Sequence, residues 1–384
     1  MMQRFPSSSF LHIIIVWLVF GGYRMAKILI LTNNSTGLYN FRKDLIERLI
    51  KEHEIIAATP FIDKTDELTK IGCRLIETPF KGRGLNPIKD IRLFYLYKKI
   101  INVEKPDLVI TYTIKPNIYG GMACRLEKKK YVCNITGLGM VFQKKSLLKC
   151  LVVCMYRCAL KMVSTVFFEN TANRDLFVND KIISQDKTYV LHGAGVNLDK
   201  FSYLEYPHND VFRFTFIGRI MKEKGVFELL QAMNKLNNSG DKCFLDMVGV
   251  LPDSIKYITV DYERKGWLHC YGYQKDVRPY IQTCDCFVLP SYHEGMANTN
   301  LECASCGRPI ITSDIPGCRE AVIDGVTGLL CKPHDADSLY KAMKCMMNKT
   351  REEREKMGRA GRQHMEGMFD KREVVEETIY KLFA

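Results

Sequence analysis

Phe212-Arg-Phe-Thr-Phe-Ile217-Gly218-Arg219-Ile-Met-Lys-Glu-Lys224-Gly225 reads as a short apolar strand that breaks on glycine into a basic turn and then into an amphipathic segment. A strand, a glycine turn and a helix in that order form the first step of a parallel α/β sheet, because parallel neighbours need a crossover between them. The same grammar recurs at Cys286-Phe-Val-Leu289, which ends in Pro290-Ser-Tyr-His-Glu294-Gly295-Met296-Ala297-Asn298 ahead of a helix that runs through Glu302 and stops at Gly307.

Strand candidates at Phe244–Val248, Leu268–Cys270 and Pro309–Thr312 complete a doubly wound unit around these two segments. Upstream, Ile28–Thr32, Ile55–Thr59, Leu108–Thr111, Tyr131–Asn134 and Thr165–Phe168 alternate with helix candidates at Tyr39–Lys51, Pro87–Val103, Asn117–Leu126 and Ser146–Val163, giving a second such unit. The stretch from Gly193 to Asp210, rich in Gly, Asn and Asp, has linker composition. The expected architecture is therefore α/β: two Rossmann-like domains, residues 25–200 and 201–384 with the terminal helices, facing across a cleft lined by the loops at the carboxyl ends of their strands.

At 384 residues the chain exceeds what one core usually supports, which agrees with two domains. Its 47% hydrophobic and 26% charged residues are those of an ordered globular protein. A formal charge of +13 favours anionic partners, either phosphorylated small molecules or an acidic membrane face. Nucleic acid is not expected, since the basic residues are spread along the chain and no zinc-finger or RNP-like motif accompanies them. The 15 cysteines, scattered through apolar patterns as at Cys150, Cys154 and Cys158, read as reduced, packed thiols. Cys303 and Cys306 form a C-x-x-C pair without a second pair at zinc spacing, so helix packing is the expected role. Residues 1–24 stand apart: Phe10 to Gly22 is an apolar run behind Arg4 that resembles a signal segment but is short for a bilayer span. Met25-Ala-Lys-Ile-Leu-Ile-Leu reads as a fresh start, so residues 1–24 are expected to be an extension outside the fold, an upstream start-site artefact rather than an export signal.

Arg219 and Lys224 put two cations beside the start of a helix, whose dipole also favours anions, and Gly218 lets backbone approach a ligand. Taken alone the turn serves equally as a solvated basic loop. Glu294 in its loop and Glu302 one turn into the following helix offer carboxylates that accept paired hydrogen bonds from sugar diols, and the amides of Gly295, Met296, Ala297 and Asn298 offer donors to an anionic oxygen. As isolated features these acids read as a capping and an exposed helical glutamate. Together, two cations after one strand and two acids after another supply complementary groups for a phosphorylated sugar.

This combination resembles the donor-site signature of glycosyltransferase family four, whose two-domain architecture is called GT-B. The resemblance runs from about residue 25 to 384 and is strongest from Gly218 to Glu320; Ala297 departs from it, standing where many members have proline. It implies that Arg219 and Lys224 bind the donor diphosphate, that Glu302 holds the nucleotide ribose and that Glu294 addresses the transferred sugar. It implies that the stretch Leu268 to Val277, with Tyr273 in it, receives the base, that Ser313–Glu320 borders the donor, and that UDP is the nucleotide. Asn33 to Arg42, Tyr112 to Asn117 and Asn134 to Phe142 resemble bacterial enzymes that extend undecaprenyl-diphosphate-linked sugars with a hexose or hexosamine, which makes Gly37, Lys115, Thr136 and Gly137 the acceptor-side candidates.

The implied reaction retains configuration and uses no metal or other cofactor, with Arg219, Lys224 and the loop amides stabilising the departing phosphate. Asp335-x-Asp337 resembles a metal-binding pair but stands where an N-cap belongs, ahead of Ser338–Met347. Ser146–Val163, with Lys144, Lys145, Lys149, Arg157 and Lys161, reads either as a buried crossover helix or as a seat on an anionic membrane. The expected location is the cytoplasm, peripherally at the membrane. A nucleotide-sugar epimerase of the same architecture and a non-catalytic nucleotide-sugar sensor are the competing readings.

Overall fold

A computed structural model describes residues 25–79, 86–142 and 146–384. The N-terminal extension, with Arg4 and the apolar run, lies outside these residues, as do Lys144 and Lys145.

Among the described residues the strands assemble into two sheets in which every pairing is parallel. The first contains β1 (Lys27–Leu31), β2 (Glu54–Thr59), β3 (Arg74–Glu77), β4 (Leu108–Tyr112), β5 (Tyr131–Ile135), β6 (Thr165–Phe168) and β7 (Thr188–Val190), in spatial order β3-β2-β1-β4-β5-β6-β7. The second contains β8 (Phe212–Ile217), β9 (Cys243–Val248), β10 (Leu268–Cys270), β11 (Cys286–Leu289), β12 (Ile310–Ser313) and β13 (Gly328–Cys331), in order β10-β9-β8-β11-β12-β13. Strands such as β4 and β11 are buried on both faces, which is why they read as unbroken apolar runs rather than alternations. The short strands β3, β7 and β13 escape the sequence reading for the opposite reason: they are partly exposed edge elements with no such run.

Strand order reverses between β1 and β4 in the first sheet and between β8 and β11 in the second. Loops leaving the two strands at such a point diverge to opposite faces and open a crevice at their carboxyl ends. The segment Asn117–Leu126 begins as a π turn over Pro116–Gly120 before the α-helix Gly121–Leu126. Here Thr111 Oγ1 donates to Asn117 Oδ1 at 2.6 Å and Asn117 Nδ2 donates to the Asn134 carbonyl at 2.9 Å, tying β4 to β5.

Residues 201–384 do not form one unit. The last helix, Lys371–Phe383, crosses back and packs against the N-terminal sheet, with Leu382 buried in that core and Val375 and Ile379 beside it. Conversely Val196 and Leu198 belong to the C-terminal core. The two crossings meet: the Val196 amide donates to the Phe369 carbonyl at 2.8 Å and the Lys371 amide to the Val196 carbonyl at 3.1 Å. An amphipathic helix exposes in sequence which face is apolar but not which of two apolar surfaces covers it.

Cysteines divide by position. Cys303 and Cys306 are buried, and burial holds the Cys303 thiol well above its ordinary value and pushes Cys306 to about 12. Cys150, Cys154 and Cys158 are exposed, contrary to the packed role expected of them. The helix Leu147–Leu160 buries Val152, Val153, Tyr156, Ala159 and Leu160, and thiols spaced by four residues line its other face.

Candidate functional site: the donor loop and the cleft

The basic turn after β8 and the acidic loop after β11 lie against each other at the switch point of the second sheet. The Tyr292 amide donates to the Glu223 carbonyl at 2.9 Å, and a Cβ on Gly225 would fall 2.0 Å from the Pro290 carbonyl oxygen. Gly225 is also left-handed at φ 70°, so both space and backbone call for glycine there. This contact brings Lys224 Nζ into an ion pair with a Glu294 carboxylate oxygen. The same Glu294 oxygen accepts from Ser291 Oγ at 2.8 Å.

Arg219 is not part of that pair. It is exposed, and no carboxylate stands within ion-pair distance of it among the described residues. Glu302 sits in the helix Asn298–Ser305, where burial raises its carboxyl to about 7 while Lys200 and Lys371 pull the other way. Both lysines reach it from the crossover region rather than from the basic turn. Lys371 is itself held below the usual lysine value by burial and is countered by Asp44 at 3.4 Å. Gly218 adjoins Gly249, whose amide donates to the Gly272 carbonyl at 2.8 Å, and Tyr273 beyond it is exposed.

Of the four amides expected to offer donors, two are spent. Ala297 donates to the Gly317 carbonyl at 2.7 Å and Asn298 to the Met296 carbonyl at 3.0 Å. Those of Gly295 and Met296 have no acceptor among the described residues. Met296 and Ala297 are buried, Met296 against Gly193 of the first crossing. The turn after β12 is closed locally, Glu320 Oε2 accepting from the Gly317 amide at 2.7 Å.

Across the cleft, Thr136 and Gly137 follow β5 and meet the loop after β11 directly. A Cβ on Gly295 would stand 1.9 Å from the Thr136 carbonyl oxygen, and one on Gly137 would stand 3.8 Å from the Gly295 backbone. Asn170, after β6, is bidentate: its Oδ1 accepts from the Asn173 amide at 2.9 Å, capping a helix, and its Nδ2 donates to the Gly295 carbonyl at 2.7 Å. The other two acceptor-side candidates are engaged within their own domain. The Gly37 amide donates to Asn34 Oδ1 at 2.9 Å, the N-cap bond of the helix Ser35–Ile50. Lys115 pairs with the buried Asp90 at 2.6 Å, so its charge is already balanced. Asp335, as expected, is an N-cap: its Oδ1 accepts from the Ser338 amide at 2.8 Å, while Asp337 pairs with Lys235.

One residue at this junction escapes the sequence reading, Glu169, and its partner Arg42 was read only as the end of the Asn33 to Arg42 stretch. Arg42 Nη2 meets Glu169 Oε1 at 2.7 Å, and Glu169 Oε2 would be 3.0 Å from a Cβ on Gly295. The signal was present, since Glu169 is the first residue past β6, a position as favourable as that of Thr136 past β5.

Residues 205–364 match the family described as Glycosyl transferases group 1, and residues 27–170 match Glycosyl transferase 4-like. The chain is a glycosyltransferase. It is 26% identical over 335 residues to the N,N'-diacetylbacillosaminyl-diphospho-undecaprenol alpha-1,3-N-acetylgalactosaminyltransferase of Campylobacter jejuni, covering 83% of this chain and 88% of that one. It is 27% identical over 301 residues to the UDP-Gal:alpha-D-GlcNAc-diphosphoundecaprenol alpha-1,3-galactosyltransferase of Escherichia coli, covering 74% and 76%. Among solved structures, the fold is shared with a glycosyltransferase from Rickettsia africae, at TM-score 0.78 and 18% identity over 94% of this chain and 98% of that one. It is also shared with Anabaena HepE in complex with UDP and glucose, at TM-score 0.76 and 15% identity over 93% and 99%. The glycosyltransferase thus has the GT-B architecture, with its two matched regions centred on the two sheets.

Proposed function

We propose that this glycosyltransferase moves a hexose or N-acetylhexosamine from a UDP-sugar to a lipid-linked saccharide, with retention of configuration and without a metal. The observation that carries the reading is the Lys224–Glu294 pair at the switch point, beside the unspent amides of Gly295 and Met296. A cation and two free N–H groups suit the diphosphate that gathers charge as the sugar departs, and a preorganised donor of this kind is worth ~3 kcal/mol of barrier. Arg219, exposed and without an ion-pair partner among the described residues, swings onto the same diphosphate in this reading. In this reading Glu294 serves the sugar hydroxyls and Glu302 the ribose, each accepting from a diol. The cations and amides, rather than a metal, offset the charge that gathers on the leaving group. The acceptor approaches from Thr136 and Gly137, and the leaving phosphate accepts its proton on the same face of the sugar. The named activities of the Campylobacter and Escherichia relatives support the undecaprenyl-diphosphate acceptor and a UDP donor.

Contact with the membrane that carries such an acceptor is part of the proposal. The helix Pro87–Glu104 exposes Ile88, Ile91 and Tyr95 among Lys89, Arg92 and Lys99, and its Asp90 is turned inward onto Lys115. The helix Leu147–Leu160 adds Leu147, 90% exposed, with Leu151, Lys149 and Arg157. Apolar residues framed by cations suit an anionic leaflet. No helix among the described residues is long and apolar enough to cross a membrane. Free thiols at every cysteine accord with the reducing side of that membrane, the cytoplasm.

The test is a panel of UDP-sugars with an undecaprenyl-diphosphate saccharide acceptor, read by mass spectrometry. One donor extends the acceptor by one residue. Lys224→Ala and Glu294→Ala each lower transfer by at least about a hundredfold with the fold intact. Full transfer by both variants, or conversion of the nucleotide sugar with no acceptor consumed, overturns the reading.

A further inference from the structure

Glu169 and Arg42 form a buried ion pair, 11% and 10% exposed, whose members come from different elements of the N-terminal domain. Arg42 lies in the helix Ser35–Ile50 and is braced by the Tyr112 ring, whose centre is 5.2 Å from the guanidinium carbon. Glu169 directly follows β6 and stands beside Asn170, the residue that grips the Gly295 carbonyl. Only Oε1 of Glu169 is used: Oε2 has no hydrogen-bond donor among the described residues and points at the face of Gly295, beside the Thr136 carbonyl.

A carboxylate nearly removed from water is costly unless its charge is paired and its lone pairs are used. Arg42 meets the first need and leaves the second half met. Burial raises Glu169, Arg42 opposes it, and Glu294 adds a lesser push upward. A saccharide hydroxyl arriving beside Gly295 finds the spare Oε2 as its acceptor. A structural ion pair has no reason to aim its spare oxygen at the donor loop of the other domain.

We propose that Glu169 is an acceptor-recognition residue: its Oε2 accepts a hydrogen bond from a hydroxyl of the acceptor saccharide, and Arg42 is the positioning residue that orients the carboxylate. The inference rests on the transfer reading given above and adds the group that selects the acceptor.

The full-length protein tests it. Wild-type UDP affinity is measured by calorimetry and transfer by steady-state kinetics with a lipid-linked saccharide; Glu169→Gln and Arg42→Lys are then compared. Loss of one charge-assisted hydrogen bond raises the acceptor KM about tenfold to a hundredfold in Glu169→Gln, with a smaller rise in Arg42→Lys, while the Kd for UDP stays within about twofold. Because a lone arginine left in that site threatens folding, the double variant Arg42→Met/Glu169→Leu removes the pair as a unit, and its acceptor KM rises to the same extent with an unchanged thermal midpoint. An unchanged acceptor KM overturns the proposal. So does a UDP Kd that rises in step with it, which makes the pair a brace for the donor loop. If the wild type transfers normally and only the variants behave so, the inference alone falls; if the wild type binds no UDP-sugar, the functional reading falls with it.

Discussion

Gly295→Ala isolates the interdomain contact from everything else in the protein. A Cβ there would stand 1.9 Å from the Thr136 carbonyl oxygen, 2.6 Å from its carbon and 3.0 Å from Glu169 Oε2. Gly295 is not left-handed, so alanine carries no backbone penalty and the cost is purely steric. Neither obstacle is the yielding tip of a long chain: one is backbone and the other is pinned by Arg42. Restoring a normal contact moves the donor loop and the N-terminal domain apart by more than about 1 Å, and a misplacement of that size in an active site costs about a hundredfold in rate. That factor corresponds to about 2.7 kcal/mol of barrier. Gly295 itself belongs to no hydrophobic core, although Met296 and Ala297 beside it belong to the C-terminal one, so the domains part as units and each keeps its own packing. Expected are a kcat/KM for transfer about a hundredfold lower, UDP binding by calorimetry close to wild type, and an unchanged thermal midpoint. Gly367→Ala, whose added methyl meets nothing within 4 Å, is the control and retains full activity. Wild-type kcat/KM in Gly295→Ala would refute the claim that this contact sets the reactive geometry.

Two further outcomes follow from buried charges. Glu302, raised to about 7 by burial, binds its proton more tightly folded than unfolded, so the folded state holds more protons between its unfolded value and about 7 and stability falls as pH rises through that window. Each tenfold gain in proton affinity is worth about 1.4 kcal/mol, which bounds the effect at about 3 kcal/mol; Glu302→Gln flattens the thermal midpoint between pH 5 and 7, and an unaltered slope in the variant contradicts the assignment. In the wild type UDP affinity weakens below pH ~7 in the same measurement, because only the ionised carboxylate accepts both bonds from a diol. Arg308 is fully buried with its guanidinium bonded to the carbonyls of Ile281, Leu204 and Glu205 at 2.9, 3.1 and 2.8 Å. Arg308→Met strands these acceptors and lowers unfolding free energy by about 3 kcal/mol, read as a drop in thermal midpoint; a loss within experimental error shows that the carbonyls find other donors.

How far the site was legible depended on how each residue announces itself. Gly218 to Gly225 and Glu294 to Asn298 sit directly after buried strands whose apolar runs are conspicuous, so their loops could be located and their chemistry read. Glu169 occupies the same kind of place after Phe168, so its position was legible, but a single acid in a turn without glycine announces no chemistry of its own. Lys115 shows the reverse error: its charge is plain in sequence, while the neutralising Asp90 stands 25 positions away in a helix whose buried face is set only on folding. Of the two spent loop amides, Ala297 was misjudged for a similar reason, since the Gly317 carbonyl that occupies it comes from the next strand's loop, whereas Asn298 is spent locally on Met296.

Hydrophobic periodicity alone determined that this chain is α/β, built from two series of parallel strands with crossovers, and local turn chemistry marked which strand ends bear charge. Those are short-range properties, carried by residues a few positions apart. Tertiary structure decided which of the charged groups meet. The reversal of strand order brings Lys224 to Glu294, the returning last helix carries Lys371 toward Glu302, and the approach of two sheets sets Glu169 and Thr136 against Gly295. These pairings join residues from about 70 to more than 150 positions apart, and only the burial of two cores, which no local pattern encodes, brings them within reach.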